Sequence, residues 1–110
     1  MKFGWISNYA CINCRHLSEE EANILDDISE PIEDQNPKSP EVFRSRYGWW
    51  IWIPEDELAE YIADFPPGLS NNFKDIILEA YRQGITYLQL DAYGPEIDRL
   101  KIYKWSCDPD

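Results

Sequence analysis

A chain of 110 residues with 44% apolar side chains can bury one core without disulfide or metal staples, which excludes an acidic disordered tail. Its formal net charge of -11 excludes direct nucleic-acid binding and attraction to anionic membranes, since both need Lys and Arg against phosphates. No apolar run approaches the roughly 20 residues that cross a bilayer, and the opening MKFGWISNYACINC is too polar for a signal-peptide core. A cytoplasmic single domain, residues 1–110, is therefore expected.

The charge is regional. Residues 19–41 and 55–64 hold fourteen of the 21 acidic side chains and one lysine, leaving the remainder slightly positive. Such a field attracts basic protein surfaces, including those that normally hold nucleic acid.

In chain order, Tyr9 to Cys14 alternates as a strand, with Phe3 to Ile6 extended before it. Ser18 followed by Glu21 is a capping box, so a helix is expected over 19–28. Ala22, Leu25 and Ile28 share its inner side, and Glu19, Glu20, Asp26 and Asp27 fall on the outer one. Residues 29–46 contain three prolines and read as an irregular loop. Tyr47 to Ile53, YGWWIWI, reads as a strand.

Pro54 at the first helical position and three acids after it then predict a second helix ending near Asp64, with Leu58, Tyr61, Ile62 and Phe65 inward. Asp56, Glu60 and Asp64 would form an i, i+4 row on its outer face. Like charges so placed cost a few tenths of a kcal/mol per pair. Phe73, Ile76, Ile77, Ala80 and Tyr81 define a third helix, capped from Ser70–Asn72 and stopped by Gly84. Ile85 to Ala92 alternates as a strand, a turn follows at Tyr93-Gly94-Pro95, and Ile102 to Trp105 reads as a last strand. The expected fold is α+β, a small mixed sheet of about four strands with about three helices on one face, in the order β-α-β-α-α-β-β.

Three constellations carry functional expectations. The outer acids of the two helices form a contact surface spaced loosely like every second phosphate of a nucleic-acid strand, or else ordinary solvated faces. Within YGWWIWI, Trp50 and Trp52 oppose Tyr47, Trp49, Ile51 and Ile53, so one indole pair must lie on the sheet face away from the helices. The long loop, a second copy of the chain or a partner would have to cover that face. Cys11, Cys14, His16 and Cys107 are of types that bind zinc, but a lone CxxC is a weak signal and strand alternation separates Cys11 from Cys14. Inert reduced thiols are the reading taken, with no metal and no cofactor. His16 beside a capping box reads as structural. No phosphate loop, HExxH or nucleophile elbow is present, and Asp91 and Asp98 flank a turn as a paired-carboxylate candidate that turn chemistry explains equally well. No enzyme is expected.

The stretches His16-Leu17-Ser18, Gly48 to Pro54, Ala80 to Gly84, Tyr87 to Pro95 and Tyr103-Lys104-Trp105 resemble a family of small uncharacterised proteins of bacterial plasmids and mobile elements, sometimes found near anti-restriction and other anti-defence genes. The similarity runs from about Ile12 to Trp105 and offers no catalytic residues. It implies a setting in which acidic proteins occupy nucleic-acid channels. The functional expectation is an acidic, non-enzymatic inhibitor of a nucleic-acid-handling complex, using Glu19, Glu20, Asp26, Asp27, Asp56, Glu60 and Asp64 with Trp50 and Trp52 as anchors. The alternatives are an immunity or antitoxin-like protein that neutralises a basic toxin, a zinc-stabilised or small enzymatic domain using Cys11, Cys14, His16 and Cys107, and a homodimer joined through the sheet.

Overall fold

The computed structural model describes residues 8–29 and 40–105. A four-stranded mixed sheet runs in the order β1-β4-β3-β2. Strand β1 is Tyr9–Asn13, β2 Val42–Ser45, β3 Gly48–Trp52 and β4 Tyr87–Asp91. Central β4 pairs parallel with β1 and antiparallel with β3, and β2 closes the other edge as a hairpin with β3. The helices are α1 (Glu19–Ser29), α2 (Leu58–Ala63) and α3 (Asn71–Arg82), with a 3-10 turn over Cys14–His16. The small α+β fold is the one expected. None of the described helices is long and apolar enough to cross a membrane.

Register explains the layers. Ile12, Leu88, Leu90, Trp49, Ile51 and Val42 share one face by strand alternation and are buried in one core with Ala22 and Leu25 of α1 and Phe73, Ile76, Ile77 and Ala80 of α3. Gly48 lets β3 close on β4, because a Cβ there would sit 1.7 Å from the Leu90 carbonyl oxygen.

The helix ends follow local chemistry. Ser18 and Glu21 exchange backbone and side-chain bonds of 3.0 and 3.1 Å, completing the expected capping box. The Ser70 hydroxyl accepts from the Phe73 N–H at 3.2 Å and caps α3. At its other end Gly84 takes φ 72, and the Gly84 and Ile85 N–H groups donate to Tyr81 and Ala80 carbonyls, a Schellman stop.

Three expectations need correction. Residues 42–45 form β2 rather than loop, because β3 offers them a free edge. Helix α2 begins at Leu58, not near Glu55. The Ile53 N–H donates to the Thr86 carbonyl and keeps the chain extended, and Glu57 then turns it at φ 59. The inner residues of α2 are half-buried, none fully. Residues 102–105 form no strand: the Tyr103 N–H donates to Arg15, in the turn beyond β1, and the Trp105 indole N–H donates to the Leu17 carbonyl. The fourth strand is thus β2, and the order is β-α-β-β-α-α-β. The expected extension at residues 3–6 and the middle of the long loop lie outside the described residues.

Candidate interaction surface

The predicted acids divide on the folded chain. Glu19, Glu20 and Asp27 of α1 are exposed, as are Asp56, Glu60 and Asp64. Asp26 is different. Its carboxylate accepts the Trp49 indole N–H at 2.9 Å and lies 3.7 Å from the Arg44 guanidinium, so it joins α1 to the sheet. Because α2 starts at Leu58, Asp56 precedes the helix, and one-turn spacing links only Glu60 to the C-cap residue Asp64. The three-residue helical row is therefore shortened to two.

Ion pairs among the described residues join Arg15 to Glu96, Arg44 to Asp26 and Arg82 to Glu79. None neutralises Glu19, Glu20, Asp27, Asp56, Glu60 or Asp64. The segment that follows α2 passes close to α1 at Gly68. A Cβ on Gly68, just after α2, would meet Ile24 of α1 at 2.6 Å and lie 3.7 Å from a Glu20 carboxylate oxygen.

The far face of the sheet is aromatic, as the alternation within YGWWIWI requires. Trp50 lies opposite Phe43 on one neighbour and Gln89 on the other, and Trp52 lies opposite Tyr87. The Trp50 ring is 5.5 Å from Tyr9 and 6.4 Å from Tyr87, and Phe43, Trp50 and Tyr87 line a shallow 380 Å³ depression. Tyr9 is 64% exposed and Phe43 52%. Trp52 instead meets Tyr61 of α2 edge-on at 5.8 Å and borders a 330 Å³ depression with Pro54, Glu55, Asp56 and Thr86. Strand register brings Tyr87, Tyr9 and Phe43 to this face beside Trp50, and the sequence reading named none of the three as part of a site. The alternation Val42-Phe43-Arg44-Ser45 was the available signal for Phe43, hidden by the prolines before it.

His16 bonds within the fold. The Ile97 N–H donates to His16 Nε2 at 2.9 Å, so Nδ1 carries the ring proton and donates it to the Lys101 carbonyl at 2.9 Å. Both ring nitrogens are thereby used. Cys14 is fully buried and disulfide-bonded, which corrects the expectation of a reduced thiol there and removes it as a zinc ligand. Cys11 is a free thiol whose pKa is raised, first by burial and then by the Asp91 charge, which disfavours the thiolate a metal needs. Cys107 lies outside the described residues. Among those residues no group of three His, Cys, Asp or Glu is placed to hold a metal ion. Asp91 accepts bonds from the Tyr93 N–H and the Gln89 amide, so it shapes its turn.

Burial also raises the Tyr61 pKa strongly; the Glu41 N–H bond opposes the shift and the Glu41 charge adds to it. Its hydroxyl donates to the Trp52 carbonyl at 2.7 Å and accepts from the Glu41 N–H at 2.9 Å, fixing α2 against the ends of β2 and β3.

Comparison with known families matches residues 9–105 to the model described as "Family of unknown function (DUF5983) C-terminal domain". No curated protein matches, and no solved structure does.

Proposed function

We infer the role of this chain, which belongs to the DUF5983 C-terminal-domain family of unknown function, from its surface: it is a non-enzymatic binding protein that engages the basic surface of a nucleic-acid-handling complex. In the setting of a plasmid or mobile element it acts as an inhibitor of a defence system. The observation that carries the reading is the exposed, unneutralised set Glu19, Glu20, Asp27, Asp56, Glu60 and Asp64. Lysines spaced along the same helices would lower the repulsion at no cost to the fold, and the sequence omits them. A partner groove shaped to hold phosphates supplies the missing positive charge. Asp26 takes no part, because Trp49 and Arg44 occupy it.

The test immobilises the full chain and a Glu19→Lys, Glu20→Lys, Glu60→Lys, Asp64→Lys variant, and exposes both to bacterial lysate. Wild type captures proteins that handle nucleic acid and releases them as salt rises from about 0.05 to about 0.5 M, because screening shortens the field. The charge-reversed chain, checked for native circular dichroism, captures none of them. Equal capture by both chains defeats the proposal. Recovery of one basic toxin in one-to-one ratio favours the immunity reading instead.

A further inference from the structure

The far face of the sheet unites an aromatic floor with an anionic margin, and the two together select a partner group more narrowly than charge alone. The geometry points to an arginine-bearing segment of the basic partner as the occupant of this face, its guanidinium planes stacked on the rings around Trp50 and Trp52 and its charge met by Glu55 and Asp56. The inference rests on the acidic-binder reading above and adds which side chain is read, and where.

Four observations support it. The outward positions of the four strands carry Tyr9, Phe43, Trp50, Trp52 and Tyr87 and no Lys or Arg, since Arg44 sits on the helix side over Trp49. Tyr87 borders one depression and its cross-strand partner Trp52 borders the next, which also contains Glu55 and Asp56. Those two exposed carboxylates take part in none of the ion pairs among the described residues. The chain also sets cations over rings within itself, with Arg44 at 4.9 Å over Trp49, Arg46 at 5.1 Å over Tyr47 and Lys101 at 4.7 Å over Tyr103. Arginine suits the face better than lysine because its planar, weakly hydrated head can lose water and stack.

Other occupants fit less well. A second copy related by a two-fold axis would present the same cation-free face to itself and bring two chains of charge -11 together. A nucleic-acid strand could stack its bases on the rings, but its phosphates would meet Glu55 and Asp56.

The test titrates the full chain with an alternating Gly-Arg peptide of about eight residues and with its Gly-Lys counterpart, following the indole N–H resonances by NMR. The Arg peptide moves the Trp50 and Trp52 signals and binds about two- to fivefold more tightly than the Lys peptide, the preference a stacked guanidinium confers at an exposed site. A Tyr9→Ser, Phe43→Ser variant, altered only at exposed rings, loses that preference. Glu55→Gln with Asp56→Asn weakens both peptides. Equal affinities overturn the proposal, as do shifts confined to α1 and α2, no binding to either peptide, or indoles buried in a concentration-dependent dimer. If lysate capture fails while the Arg peptide still docks here, the nucleic-acid-complex reading falls and the arginine site stands. If capture succeeds with unmoved indoles, the reverse holds.

Discussion

The buried carboxylate of Glu21 accepts a hydrogen bond from the Ser18 N–H at one oxygen and, at the other, from both the N–H and the hydroxyl of Ser70, 49 residues along the chain. Ser18 precedes α1 and Ser70 caps α3, so one anion serves the positive ends of two helices. This ties the capping of α3 to a residue of α1.

Glu21→Ala should therefore cost about 3–5 kcal/mol, because it strands buried donors at two helix starts. Glu21→Gln should also destabilise the chain, since its NH2 group must face a donor. Urea denaturation midpoints measure both. A loss below about 1 kcal/mol for the alanine variant would mean that water or a side-chain shift replaces the carboxylate.

Two glycines should respond oppositely to alanine. Gly48→Ala drives a Cβ into the Leu90 carbonyl and should leave no folded protein. Gly84→Ala meets nothing within 4 Å and suffers only from its φ of 72, a cost of about 1–2 kcal/mol. Thermal melts of the two variants side by side give the contrast.

Alkaline pH should destabilise the chain through Tyr61 and Cys11. Both pKa values are raised in the folded state, from 10.0 and 9.0 in the unfolded chain. Above those values the unfolded chain releases protons that the folded chain still holds, so stability is full below about pH 9 and falls as pH climbs further. Tyr61→Phe removes the larger contribution. It should cost about 1–3 kcal/mol at neutral pH, by leaving the Glu41 N–H and the Trp52 carbonyl without the hydroxyl, and should flatten the alkaline slope. An unchanged slope from pH 8 to 11 in chemical denaturation would locate the dependence elsewhere.

His16 should be an Nδ1–H tautomer, because Ile97 donates to Nε2. Long-range nitrogen–proton NMR distinguishes the two tautomers directly. In His16→Ala the Ile97 amide loses its acceptor, and its hydrogen exchange should accelerate more than tenfold, about 1.4 kcal/mol of lost protection. Amides in the middle of β4 should change less.

Features whose partners lie within four residues were legible in the sequence. The α3 stripe, its Ser70 cap, its Gly84 stop and the Ser18–Glu21 box all follow from spacing alone. So did the opposition of Trp50 and Trp52 to Trp49 and Ile51, since alternation is a local property of a strand, while helix packing decided which of the two faces points outward. Strand β2 was not legible, because four residues after a proline-rich stretch pair only when β3 presents an edge. The start of α2 misled for a related reason. Pro54 and the acids after it favour a helix locally, while the Ile53 bond to Thr86 holds the chain extended.

By itself, the sequence determined the helix boundaries with good caps, the alternation within β1, β3 and β4 and the two concentrations of negative charge. Only the tertiary structure decided what individual side chains do. It assigned Asp26 to Trp49 and Arg44, Glu21 to a second helix, and His16 to the segment over 97–101. It also gathered Tyr9, Phe43, Trp50 and Tyr87 from four strands onto one face. The physical reason is range. Helix caps and alternation depend on backbone geometry over a few residues, whereas these contacts depend on strand register and packing between segments dozens of residues apart.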